Sequence, residues 1–250
     1  MSFFEIDVEH KRYGERTVLR ALRLGMARGE IVSLVGASGC GKSSLLGIAA
    51  GLDRDAAARV RLDGVEWDVP RGPRIGIDAR IGMVFQEPRL FPWLSVVDNI
   101  VFGTGARKLP PGTLDGLLEE VGLGGLGGQL PKQLSGGQAQ RVALARGLFT
   151  QPRVLLLDEP FSAVDAITRM RLQDLLARVA RERGLTVLMV THDIDEAVQL
   201  SDRVVLLANR PGPPRAVFDI DLARPRTRAD ARAAAFKAEL LTALDLGLAA

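Results

Sequence analysis

Cysteine is nearly absent from this chain. Cys40 stands alone among 250 residues, so no disulfide can form within the chain and no cysteine-based zinc site is available, which fits a reducing compartment. Aromatic residues make up only 5%, with one tyrosine and two tryptophans, so the core must be aliphatic. Net charge is equally scarce: 33 Lys and Arg oppose 30 Asp and Glu, leaving +3. Arginine is spread along the chain without forming a stripe, which argues against nucleic acid as a partner, because such binding needs a clustered basic face. No run approaches the roughly 18 to 20 apolar residues that span a bilayer. The opening MSFFEIDVEHKRYGE is charged too early for a secretory leader, so any membrane role is expected to pass through a partner.

What is abundant is a set of short apolar runs, each ending on a polar or glycine residue. IVSLV stops at Gly36, RIGMVF at Gln86, VLLL at Asp158 and TVLMVT at His192. Their length and branching suit strands buried on both faces. Helical patterns separate them: KSSLLGIAAGL, AQRVALARGLF and AITRMRLQDLLARVARERG. Strand alternating with helix predicts an α/β fold with a mostly parallel sheet, whose ligands gather at the carboxyl ends of the strands. The expected organisation is a single domain. Its core takes in 1–99, opening with an antiparallel β portion, and 146–209. A glycine-broken helical subdomain is inserted at about 100–145, and a tail over 210–250 ends in an Ala-rich helix.

GASGCGKS, residues 36–43, lies between a predicted strand and a predicted helix, which is the context that makes a P-loop credible. Gly36, Gly39 and Gly41 let the backbone of Ala37, Ser38 and Cys40 curl so that amides point inward, and the helix N-terminus favours phosphate. Lys42 supplies a mobile charge for the outer phosphates, Ser43 a hydroxyl for Mg²⁺, and Ser44 continues the loop into the helix. The apolar run VLLL at 154–157 closes with the acids Asp158 and Glu159. Asp158 is placed to hold Mg²⁺ through water, and Glu159 to act on an attacking water. A plain acidic helix start is the bland alternative for that pair.

LSGGQ, residues 134–138, is a second glycine turn feeding a helix. Ser135, Gly136, Gly137 and Gln138 therefore offer a second anion site, although Ser135 could simply cap the helix. Two phosphate loops with one lysine and one acid pair suggest a composite site shared by two identical chains.

In order and spacing, GASGCGKSS, Gln86, LSGGQ, VLLLDEP, SAVD and His192 resemble the ATP-binding subunits of ABC transporters over nearly the whole chain. The resemblance implies a P-loop NTPase core that forms a head-to-tail homodimer around two ATP molecules with Mg²⁺. It implies that Gln86 senses Mg²⁺ and the γ-phosphate, that His192 contacts the γ-phosphate, and that Asp165 couples the two sites. Tyr13 resembles the aromatic residue that stacks on adenine, a strand-edge tyrosine being the alternative. GLDRDAAARVRLDG lacks the usual Pro and Gly pattern, which leaves the antiparallel strands near the adenine open.

The subclass rests on LFPWLSVVDNI, on NRPG at 209–212 and on ARPR at 223–226, which resemble the nitrate, sulfonate and taurine importers. The short stretch from Phe102 to Leu134 and LSGGQAQRV resemble the aliphatic-sulfonate members most. No further domain is expected after 209. The resemblance implies a peripheral subunit on the cytoplasmic face of the plasma membrane, bound to integral-membrane permease subunits and served indirectly by a solute-binding protein. Phe91, Trp93 and Leu94 are candidate permease contacts, packing between core and helical insert being the other reading. A soluble ATP-driven motor acting on nucleic acid or protein is the alternative function. Against it, positions 87–133 hold no coiled coil and the chain holds one cassette.

Overall fold

Period-two alternation with both faces buried explains why the core runs are predominantly apolar. In the strand Val154–Asp158, Val154 and Leu156 pack on one side of the sheet while Leu155 and Leu157 pack on the other, and all four are buried. The computed structural model describes residues 2–69, 80–104, 112–224, 226–227 and 230–248. Residues 105–111 of the expected helical insert and Pro225 of the ARPR motif lie outside the described residues.

The chain opens with β1 (Phe4–Tyr13), β2 (Arg16–Met26), β3 (Ile31–Val35), α1 (Lys42–Ala49), β4 (Ala56–Leu62), β5 (Val65–Asp68) and β6 (Ile81–Val84). It continues through α2 (Val96–Val101), α3 (Thr113–Glu120) and α4 (Gly136–Leu148). The closing elements are β7 (Val154–Asp158), α5 (Ala166–Arg183), β8 (Thr186–Val190), α6 (Ile194–Leu200), β9 (Arg203–Leu206), β10 (Ala216–Asp219) and α7 (Ala231–Leu248).

Two sheets result. One is antiparallel, in the order β2-β1-β4-β5; the other runs β10-β9-β3-β8-β7-β6 and is parallel except for β10. This is the α/β architecture the run pattern implies. The antiparallel sheet and α1 share one apolar cluster with the near face of the parallel sheet. On the far face, α2 to α5 close a second, and α6 with α7 form a third beyond β9. The order β3-β8-β7-β6 sets the ends of IVSLV, TVLMV, VLLLD and IGMV side by side. That adjacency builds the site.

The structure answers the open question about GLDRDAAARVRLDG. The stretch yields β4, paired antiparallel with β1 from Phe4↔Leu62 to Lys11↔Ala56. The edge expected at residues 145–146 falls inside α4, because the same helix that begins at the signature turn ends packed on β6. The tail does not hang free: Ala216–Asp219 pairs with β9, an edge strand too short and mixed in pattern to stand out as sequence. Arg226 completes that attachment. Its buried guanidinium donates to the carbonyls of Val198, Ser201, Ile220 and Leu222, tying the tail to the end of α6.

The α4–β6 contact depends on paired glycines. A Cβ on Gly82 would overlap the Gly147 carbonyl oxygen and lie 3.0 Å from Leu155 Cδ1. We expect Gly82→Ala to lower unfolding stability by about 1–3 kcal/mol through overpacking, read as a lower urea midpoint at unchanged m-value.

Candidate functional site

The loop after β3 is shaped by glycine where the backbone demands it. Gly39 has φ 78° and Gly41 φ 101°, and Gly41 is the N-cap of α1. Gly41 also lies under Leu19 of β2, whose side chain occupies the space a Cβ would need. Ser38, Gly39 and Ser43 are exposed along the crest, Ala37 and Ser44 half-buried, and Gly36, Cys40 and Lys42 buried beneath it. The Lys42 ammonium donates to the carbonyls of Gly36 at 2.7 Å and Ala37 at 2.9 Å, and lies 3.8 Å from Cys40 Sγ. A helix N-terminus with a tethered cation beside it is an anion cradle.

At the neighbouring strand end, the Ser43 hydroxyl donates to Asp158 Oδ1 at 3.1 Å. Burial pushes the Asp158 carboxyl above its usual range, assisted by the adjacent Glu159 charge and outweighing that hydrogen bond. Glu159 has φ 45°, a left-handed conformation that costs a non-glycine residue about 1–2 kcal/mol. Its amide donates to the Val190 carbonyl at 2.9 Å, and Ser162 Oγ donates to the Glu159 carbonyl at 3.0 Å. The turn thereby aims the side chain across to β8, where Glu159 Oε2 lies 3.0 Å from His192 Nδ1. Gln86 is exposed just beyond the end of β6. Ser43, Asp158 and Gln86 are hard oxygen donors of the kind Mg²⁺ prefers, and they leave room for waters and phosphate oxygens. Among the described residues no cluster of three His, Cys, Asp or Glu forms a preassembled metal cage.

Tyr13 sits on the rim. Its hydroxyl is 3.2 Å from Ser44 Oγ and donates to Asp53 Oδ2 at 3.0 Å, while its ring is 53% exposed with Lys11 Nζ 4.4 Å from the centroid. An anchored edge and a free face suit stacking on a flat base.

The signature turn is a capping box. Ser135 Oγ accepts from the Gln138 amide at 3.2 Å, and Gln138 Oε1 accepts from the Ser135 amide at 2.8 Å. Gly136 has open space around its Cα, whereas a Cβ on Gly137 would overlap the Thr168 methyl of α5. Asp165 caps α5 through the amides of Ile167 and Thr168, at 3.1 and 3.0 Å. Hydrogen bonds from Thr168 hold its carboxyl below the usual range. The signature and SAVD turns are therefore neighbours within one chain.

The stretch after Gln86 forms an exposed aromatic platform. Trp93 is 72% exposed and its ring lies 5.6 Å from that of Phe91, which lies 4.2 Å from Phe102; Leu94 is half-buried. Such exposure is not the packing between core and insert that was the other reading of Trp93. Buried Asn99 holds the turn: its Oδ1 accepts from the Phe91 amide, and its Nδ2 donates to the carbonyls of Phe91, Leu94 and Ser95. Arg146 adds two bonds, to the carbonyls of Pro88 and Arg89.

Residues 19–162 match the description of the ABC transporter family. The chain belongs to that family. It is 54% identical to the aliphatic sulfonates import ATP-binding protein SsuB 1 of Xanthomonas axonopodis pv. citri (strain 306), over 97% of this chain and 96% of that protein. SsuB 1 of Pseudomonas aeruginosa (strain UCBPP-PA14) is also 54% identical, over 93% and 92%. Among solved structures, cbiO1 of Clostridium perfringens, part of the ABC transporter complex cbiONQ, superposes with TM-score 0.76 at 29% identity, covering 88% of this chain and 89% of that one. The ATP-binding cassette MJ0796, in a dimeric post-hydrolysis state bound to ADP and Pi, gives TM-score 0.72 at 30% identity, covering 88% and 100%.

In this ABC ATPase the structure brings the phosphate loop, Asp158, Glu159 and His192 together by direct contacts. The signature residues, Asp165 and the aromatic platform stand outside that contact set. Sequence reading overlooked Asn99 and Phe102, although an asparagine within the apolar helix VVDNIV signals a buried side chain in need of partners. No helix among the described residues is long and apolar enough to cross a membrane.

Asp158 yields a pH test. Its raised pKa means the folded state holds its proton more tightly than the unfolded chain, so its charged form opposes folding as pH rises through the folded value. We expect Asp158→Asn to raise the thermal midpoint at pH 7, with the gain shrinking as pH falls into the carboxylate range.

Proposed function

We propose that this chain is the ATP-hydrolysing subunit of an importer for aliphatic sulfonates, with nitrate or taurine as the related alternatives. The observation that carries the hydrolytic part is the run of contacts from Ser43 to Asp158 and from Glu159 to His192, at adjacent strand ends beside an anion cradle. The sulfonate part rests on the relatives' identity as aliphatic sulfonates import proteins, 54% identical over nearly the full chain. In this reading the whole chain is one ATPase domain, with 1–99 and 146–209 as core, about 100–145 as the helical part and 210–250 as the tail.

Loop amides from Gly36 to Ser44 and the Lys42 ammonium bind the phosphates, and Tyr13 supports the adenine. Ser43, Asp158 and Gln86 would hold Mg²⁺, which supplies charge neutralisation on the phosphate oxygens. Glu159 accepts a proton from water as the water oxygen bonds to the γ-phosphorus. The bond to the ADP oxygen breaks, and phosphate departs. His192 holds Glu159 in position and reaches the γ-phosphate. Ser135, Gly136, Gly137 and Gln138 of a second identical chain close over the same nucleotide, with Asp165 between the two sites. Differential contact with the γ-phosphate drives closure, and hydrolysis releases it.

The subunit acts at the cytoplasmic face of the plasma membrane, carried there by integral permease subunits that a solute-binding protein supplies. Phe91, Trp93 and Leu94 form the permease contact. An exposed aromatic held on a rigid turn is the usual anchor of such an interface.

Glu159→Gln should retain ATP binding by equilibrium titration while hydrolysis falls about 100-fold or more, the scale of general-base catalysis. Undiminished phosphate release would remove Glu159 from that role. In proteoliposomes with the permease, Trp93→Ala should cut sulfonate uptake by about tenfold or more while ATP affinity holds. A parallel loss of ATP affinity would place Trp93 with the nucleotide site instead.

A further inference from the structure

The turn that carries His192 and the turn that carries Asp165 follow different strands, yet one guanidinium touches both. Arg169, in the first turn of α5, sends Nη2 back to the Val164 carbonyl at 3.4 Å, one residue before Asp165. Its Nη1 donates across to Asp193 Oδ2 at 3.3 Å, one residue after His192. Its Nε is buried without a hydrogen-bond partner and lies 3.8 Å from Glu196 Oε1.

The acceptors are themselves fixed. Asp193 Oδ1 caps α6 by accepting from the amides of Asp195 and Glu196, at 2.8 and 3.2 Å, which leaves Oδ2 for Arg169. Thr191 Oγ1 donates to Glu196 Oε2 at 2.7 Å and accepts from the Asp193 amide at 3.0 Å. His192 is therefore held from both sides: Thr191 before it and Asp193 after it belong to one hydrogen-bonded knot, and Arg169 ties that knot to α5. A polar network of this kind, partly buried and anchored on the buried Thr191 and Glu196, has few alternative arrangements, so displacing one end displaces the other. The unmade bond from Nε to Glu196 gives the knot a direction to tighten, since a small movement of α6 toward α5 would complete it.

We propose that Arg169 is a positioning residue that sets the His192 turn relative to the Asp165 turn, so that the two move as one piece during the hydrolytic cycle. The inference rests on the reading of His192 as part of the hydrolytic site. Arg169 touches neither nucleotide nor water in this account and acts through Asp193.

The test uses the full chain and separates kcat from KM. Arg169→Gln should lower kcat for ATP hydrolysis by about tenfold or more while the KM and the equilibrium affinity for ATP stay within about twofold. Arg169→Lys, which can still reach Asp193 as a point charge, should recover part of kcat. Asp193→Asn keeps a capping oxygen but removes the charge facing Arg169. Combined with Arg169→Gln, it should cost no more than the worse single variant, because both break one link.

An unchanged kcat in Arg169→Gln would overturn the proposal, as would losses that multiply in the double variant. A purely structural role would lower the thermal midpoint and leave kcat per folded molecule intact, which also overturns it. Should Arg169→Gln fail to fold, Arg169→Lys with and without Asp193→Asn carries the same comparison. His192→Ala separates this idea from the reading beneath it. Hydrolysis that survives His192→Ala defeats the role given to His192, whereas hydrolysis lost there but normal in Arg169→Gln defeats only the role given to Arg169.

Discussion

The hydrogen bond from Ser43 to Asp158, at 3.1 Å between groups 115 residues apart, is the constraint on which the site depends. Ser43 stands at the start of α1 and Asp158 at the end of β7, so the bond registers the phosphate loop against the sheet. From there the geometry propagates along the chain. Glu159 follows Asp158 in a strained left-handed turn that a bond to the Val190 carbonyl holds in place, and that turn points its carboxylate at His192 just beyond the end of β8. Strain of this kind persists only where surrounding contacts over-determine the backbone, and here three do.

The support for this polar edge is largely apolar. Strands β3, β7 and β8 are buried on both faces, enclosed mainly by two aliphatic clusters, with the buried hydroxyls of Ser33 and Thr186 satisfied by hydrogen bonds. A parallel sheet clad on both sides leaves the carboxyl ends of its strands as its open surface, where loops can carry polar residues without burying unpaired groups. The second part of the molecule is organised around turns. Ser135, Ser95, Asp165 and Asp193 each cap a helix with their own side chains, so the turns around the candidate site are fixed by local hydrogen bonds. The Asn99 clamp is the same device turned outward, trading buried amide bonds for a rigid, exposed aromatic turn.

Legibility followed the range of the interactions. GASGCGKS, LLLDEP and LSGGQ are short because their chemistry needs consecutive amides or adjacent acids, and consecutive residues are what a sequence displays. The buried runs were legible for a similar reason, since burial on both faces disfavours polar residues within them unless, like Ser33 and Thr186, they find a hydrogen-bond partner. The β10 strand, with alternating half-exposed and exposed residues, gave no such signal. The helix α4 serves both parts, its start presenting the signature turn and its Gly147 packing on Gly82, a double role that no local pattern announces. Asn99, Arg169 and Arg226 were overlooked since a single polar residue in a helix or loop reads as solvated until its partners are known.

By itself the sequence determined the chemistry available: a phosphate loop with one lysine, one pair of adjacent acids, a second glycine turn and a histidine at a strand end. It determined the α/β class through the spacing of apolar runs, and membership of the ABC family through the order of its motifs. Only the tertiary structure decided which of these groups meet. The strand order β3-β8-β7-β6 is not the chain order, and it alone puts His192 beside Glu159 and Asp158 beside Ser43. The physical reason is that hydrogen bonding between strands is a pairing of backbones, blind to the side chains at their ends. The side chains that gather there are therefore set by topology, which no local stretch of sequence contains.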